Sequence, residues 1–201
     1  GACRAALDGL EQRGRLGLPE VGGAARWLAA RQPHRGVPPD GAAALDGAAF
    51  DPSYIVSDEQ FYDGDALDAE QIQAFLDAKA PVCDVWRSGR GLNQPPFTCL
   101  KDYRQSVPTM AADEHCARIE GARLSAAEII AAVGTACSVS PKALLVLLQK
   151  EQSLVTDRWP WRTQYDHATG FNCPDTAPCD PEFAAFFSQV YYAARQFQIY
   201  R

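Results

Sequence analysis

Apolar and polar positions alternate with a helical period along residues 140–151. Leu144, Leu147, Leu148 and Glu151 fall at i, i+3, i+4 and i+7, one stripe of a single helix. Ser140 is placed to cap that helix, and Pro141 suits its first turn. The same reading predicts a helix over 69–79, capped by Asp68, with Ile72, Phe75 and Leu76 facing inward. Ser125-Ala-Ala-Glu128 has the form of a capping box and opens a helix to about residue 136. Asp180-Pro181 starts a last helix reaching about residue 199, with Phe183, Phe186, Phe187, Val190, Tyr191 and Ala194 as a broad apolar core face. Residues 50–57 read as extended or turn-like, because the residue before Pro52 avoids the helical region. Residues 81–110, with prolines at 81, 95, 96 and 108, and residues 156–180 show no such period and read as long loops. Strand signals are almost absent, so the fold class is mainly α.

Residues 1–47 differ in character. They are rich in Ala, Gly and Arg, and Trp27 is their only aromatic residue. Helices near 2–13 and 19–32, separated by Gly14, Gly17 and Pro19, make an N-terminal helical arm or leader, and Gly36–Gly41 reads as a linker. The main domain is expected over 48–201.

Composition narrows the class. A formal net charge of −6, with no Lys/Arg-rich run, argues against nucleic acid as a partner. No apolar run approaches the roughly 18 residues that a membrane-spanning helix needs. No signal peptide is recognisable, so an exported form is expected to have lost its signal. Of the seven cysteines, Cys83, Cys99, Cys116, Cys137, Cys173 and Cys179 cluster in the later part, and Cys3 stands alone. Six together suggest three disulfides and an oxidising compartment. Pairing in sequence order, Cys83–Cys99, Cys116–Cys137 and Cys173–Cys179, is one of the many sets that six cysteines allow.

Glu151 carries the chemistry. A carboxyl desolvated beside leucines is favoured in its acid form, as a general acid working near neutral pH requires. Trp159, Trp161 and Tyr165 follow directly and could stack sugars along a cleft wall, or simply cover the helix end. Asp157, Asp166 and Asp175 are candidates for a second acid, with Asp166, inside the aromatic loop, preferred. Two rivals use other residues. His115, Cys116, His167, Cys173 and Cys179 supply zinc-ligand types but lack paired ligand spacing. Cys137 with His115 or His167 would make a thiol hydrolase. A third reading, a non-catalytic cell-wall glycan-binding or adhesin module, shares the fold without the turnover.

The run Leu147-Leu-Gln-Lys-Glu151-Gln-Ser153 resembles the catalytic helix of the lysozyme superfamily, and of the lytic transglycosylases and glucosaminidases within it. Thr169-Gly-Phe-Asn172 stands where that superfamily has a glycine-containing, sugar-contacting loop. More narrowly, four phrases resemble a group of secreted actinobacterial cell-wall proteins. They are Tyr54-Ile-Val-Ser-Asp-Glu-Gln-Phe61, Leu148-Gln-Lys-Glu-Gln-Ser-Leu-Val155, Gly170-Phe-Asn-Cys-Pro-Asp-Thr-Ala-Pro-Cys179 and Gln189-Val-Tyr-Tyr-Ala-Ala-Arg-Gln-Phe197. Two departures stand out: Gln152 separates Glu151 from Ser153, and the loop lacks the usual Gly-Leu-Met-Gln form. The resemblance implies a lysozyme-like helical domain, secreted or cell-wall associated, that acts on peptidoglycan as a monomer without a cofactor or metal. It implies Glu151 as general acid, with Ser153 orienting it or the substrate. Gly170, Asn172 and Tyr191 or Tyr192 would line the cleft.

Overall fold

A computed structural model describes residues 54–201. The arm expected over 1–47, its two helices and Cys3 lie outside the described residues. Ser57 accepts from the Gln60 amide and opens α1 (Asp58–Phe61). Asp68 and Gln71 cap each other's backbone at the start of α2 (Ala69–Lys79), which buries Ile72 and Leu76 and leaves Phe75 half-buried. β1 (Arg104–Val107) then pairs antiparallel with β2 (Ala122–Ser125), Arg104 opposite Ser125 and Val107 opposite Ala122. Ser125 ends the sheet and, with Glu128, forms the capping box of α3 (Ala126–Cys137). A left-handed Ser138 turns the chain into α4 (Pro141–Gln152). The short α5 (Arg162–Asp166) and a 3₁₀ turn at Pro181–Phe183 precede α6 (Phe186–Tyr200).

The architecture is mainly α-helical with one small sheet. α3 is its axis: Ile129, Ile130 and Val133 are fully buried, and α2, α4, α6 and β2 all pack on it. Such a helix is apolar nearly all round because most of its surface is covered, with Thr135 left exposed. Gly64 lets the loop after α1 cross the end of α3, since a side chain there would strike the Gly134 carbonyl. Gln105 of β1 accepts from the Phe187 amide, one of the donors that the start of α6 leaves open. The sheet is thereby tied to the last helix. Among the described residues no helix is long and apolar enough to cross a membrane.

Four expectations need correction. Residues 104–107 form a strand, where the sequence reads as loop; four residues offer too little alternation to register. Residues 156–180 include α5. The last helix begins at Phe186, because Pro181–Phe183 closes as a separate turn and Ala185 takes φ 80°, outside the helical region. Ser140 occupies the cap position of α4 but makes no capping bond; its Oγ is buried without a partner, while its amide donates to Phe61 O at 2.8 Å.

The cysteines pair in sequence order, Cys83–Cys99, Cys116–Cys137 and Cys173–Cys179. Beside the second bridge, Asp113 accepts from Arg195 Nε of α6 at 2.7 Å and from the His115 and Cys116 amides at 2.9 Å. The Arg195 hydrogen bond, then these two amides, hold the Asp113 carboxyl down at about 2. A depressed carboxyl contributes stability that is present above its unfolded value, about 3.9. That contribution is lost as pH falls through about 2. Asp113→Asn is therefore expected to lower the melting temperature between pH 5 and 7, by the equivalent of about 1 kcal/mol or less because the pair is partly solvated. Melts at pH 2, 3, 4 and 6 should show the gap closing towards the acid end. A gap independent of pH would mean that the charge contributes nothing.

Candidate functional site

Glu151 lies in the last turn of α4. The helix buries Pro141, Leu144, Leu145 and Leu148, and Glu151 stands one turn beyond the half-buried Leu147, at the edge of that stripe. Its side chain is therefore half-buried, with 30% still exposed, and not fully buried as the leucine pattern implies. Oε1 accepts from Lys150 Nζ at 2.6 Å. Oε2 faces Gly170, where a methyl group would lie 3.3 Å away.

Gly170 reaches this position through a loop with few degrees of freedom left. Its amide donates to His167 O at 3.0 Å, just past the end of α5, and its φ of 69° is left-handed. Thr169 on one side and Phe171 on the other are hydrogen-bonded to Gln189 of α6. Phe171 also stacks on Tyr192 and meets Phe183 edge-on. The arrangement is a carboxylate at a helix end facing a bare backbone in a pinned turn, a close approach that a side chain at 170 would crowd. Gly170→Ala is expected to lower any activity at Glu151 at least tenfold. It should destabilise the fold by about 1–2 kcal/mol, the cost of a side chain in the left-handed region. Paired melts and turnover assays check this, and a variant unchanged in both would break the proposed coupling of Gly170 to Glu151.

Comparison with models of known families, with characterised proteins and with solved structures returns no match.

The remaining predicted residues divide. Ser153 is exposed, ends α4 in the left-handed region, and shares no hydrogen bond with Glu151 among the described residues. Trp159 and Trp161 meet edge to face at 5.5 Å; Trp159 also packs against Phe97 and lies under the Arg87 guanidinium at 4.2 Å. Tyr165 is a correction. It is buried, stacked on Tyr103 at 4.2 Å, and donates to Thr98 O at 2.7 Å, so it cannot stack a sugar. Burial, followed by the nearby Tyr103, Asp157 and Asp102, pushes its hydroxyl well above the usual tyrosine range. Tyr191 is likewise buried, stacked on Phe187. Tyr192 is the tyrosine that joins the Phe171 loop. Asn172 is exposed and donates to Asp180 Oδ2 at 3.1 Å, closing the base of the Cys173–Cys179 loop.

Asp166 pairs with Arg162 one turn away at 3.8 Å. Burial first, then the Asp166 charge, raises the Tyr103 hydroxyl. Among the described residues no hydrogen bond or ion pair links Asp166 to Glu151. Asp157 is occupied with the Trp159 amide and Gln164, and Asp175 is exposed within the disulfide loop. Cys137 is bridged to Cys116, which removes the thiol nucleophile of the hydrolase reading. Cys116, Cys173 and Cys179 are likewise committed to sulfur rather than to zinc.

Two residues escaped the sequence reading. Gln189 sits among Phe186, Val190 and Tyr191 on the buried face of α6, and a lone amide on an apolar stripe is the signal that marks it. Trp86 is 77% exposed, on a loop tied to the chain after α4 by the Asp84 amide donating to Arg158 O at 2.7 Å. Single exposed tryptophans are easily passed over beside a cluster such as 159–161. A separate cleft of about 550 Å³ lies across α3, lined by Leu67, Ile119, Leu124, Ala132 and Ala136, and includes no residue of the Glu151 site.

Proposed function

We propose that this domain is lysozyme-like and cleaves the glycan strand of bacterial peptidoglycan, with Glu151 as its acid. The observation that carries the reading is Glu151 Oε2 packed close to the bare backbone of Gly170, where a helix end meets a pinned loop. The protonated carboxyl donates to the glycosidic oxygen between N-acetylmuramic acid and N-acetylglucosamine, and the bond to the anomeric carbon breaks with positive charge developing there. Asp157 is held by the Trp159 amide and Gln164, and Asp166 lies beside Arg162, which favours a route that needs one carboxylate. The muramic 6-hydroxyl attacks the anomeric carbon, its proton passes to Glu151, and a 1,6-anhydro sugar forms. Trp161 would offer a flanking sugar platform. Three disulfides fit an oxidising compartment, in keeping with a secreted or cell-wall-associated protein.

One observation favours a second reading, a glycan-binding module without turnover: Glu151 is ion-paired to Lys150 and partly solvated, unlike a sequestered acid. Mass spectrometry of soluble products from purified peptidoglycan separates the two. Anhydro-muropeptides are expected. Reducing ends would instead make the enzyme a hydrolase and return Asp166 to the role of second acid. An absence of products alongside retained glycan binding would establish the module.

A further inference from the structure

The apolar face of α6 carries a glutamine where a hydrophobe would be expected. Gln189 is 1% exposed, between Phe186 and Val190. A buried primary amide is costly unless its donors and acceptor are all met. Here the chain around Gly170 and the turn at Phe183 meet all of them. Nε2 donates to Phe171 O at 3.0 Å and to Phe183 O at 2.9 Å. Oε1 accepts from the Thr169 amide at 3.2 Å and the Phe171 amide at 3.1 Å. The Thr169 hydroxyl adds a bond to the Gln189 carbonyl at 2.8 Å. One side chain therefore grips the residue before Gly170 and the residue after it, together with the turn that leads into α6. Gly170, the residue in between, is the one that meets Glu151.

We infer that Gln189 is a positioning residue for the Glu151 site: it fixes the 169–171 turn from beneath, and so sets how Gly170 packs against the carboxylate. The inference rests on the cleavage reading above. Among uncharged side chains only a carboxamide offers two donors and a twice-used acceptor on a single planar group, and asparagine is one methylene shorter. A hydrophobe of the same size would fill the space and leave two amides and two carbonyls of the turn without partners.

Gln189→Glu converts the grip into one that pH controls. A protonated glutamic acid keeps the acceptor oxygen and one donor; the ionised form loses both donors and turns its charge towards the Phe171 and Phe183 carbonyls. The experiment follows two readouts from pH 4.5 to 8 in wild type and variant: amide exchange protection at Thr169 and Phe171, and kcat and KM for muropeptide release. In the variant, protection at these two amides is expected to fall at least tenfold as pH rises, while amides of α3 stay protected. Its kcat relative to wild type should fall across the same interval. Thr169→Val removes one tether, leaves Gln189 in place, and should give a smaller loss of kcat in the same direction; it decides the matter if the glutamate variant does not fold. Protection that stays at the wild-type level, or protection lost with kcat unchanged, overturns the positioning role alone. A wild-type protein that releases no product at any pH overturns the cleavage reading, and this role with it, whatever the exchange data show.

Discussion

Glu151→Gln is expected to reduce muropeptide release by about 10²–10⁴-fold, the range a positioned general acid supplies, while glycan affinity stays within a few-fold of wild type. The change is nearly isosteric, so the space facing Gly170 keeps its shape and only the transferable proton disappears. The contact with Lys150 weakens, but that ammonium is 46% exposed and returns to water. Stability should therefore move by no more than about 0.5 kcal/mol, as for other surface pairs. The prediction is checked by assaying product release and binding of a soluble glycan fragment on the same preparations, with a melt to show that both proteins are folded. A glutamine variant that still turns over at the wild-type rate would remove Glu151 from the chemistry. Reduced binding with unchanged turnover per bound complex would make it a contact and not an acid.

What could be read in the sequence was mostly local. The Asp68 cap and the Ser125–Glu128 capping box act within three residues, and both α2 and α3 begin where those caps place them. The disulfides pair neighbours in sequence for a similar reason, since the bridged loops are short. Features set by tertiary packing were not legible. Leu147 looks like part of the core stripe of α4, but the helix is rotated so that Leu145 takes the buried position, and Glu151 moves to the edge with Leu147. Tyr165 and Tyr191 carry the same ring as Tyr192, and only the packing of Tyr103 and Phe187 against them separates core from site. Asp180-Pro181 is a sound helix start, and it does start a turn; the chain then leaves the helical region at Ala185, and the resulting bend brings the Phe183 carbonyl to Gln189. The site residue with the most hydrogen bonds was thus the hardest to see, because its partners lie up to 20 positions away.

Removing the Cys116–Cys137 bridge is expected to have the largest effect on stability. It spans 21 residues, and closing a loop of that length constrains the unfolded chain by about 3 kcal/mol in the chain-entropy picture. Both sulfurs are buried, Cys137 at the end of the central helix and Cys116 beside the Asp113–Arg195 pair. The bridge holds the loop that presents Asp113 to α6, so its loss also loosens that ion pair. A Cys116→Ala/Cys137→Ala double variant should melt roughly 10 °C below wild type, the shift expected for about 3 kcal/mol in a domain of this size. The corresponding Cys173–Cys179 variant closes only 6 residues at a half-exposed site, so the entropic part is nearer 2 kcal/mol and little packing is lost. The order of the two melting temperatures tests the argument more sharply than either value. If the 173–179 variant melts lower, the loop below Gly170 contributes more to the fold than α3 and its bridge, and α3 is not the axis on which the domain is built.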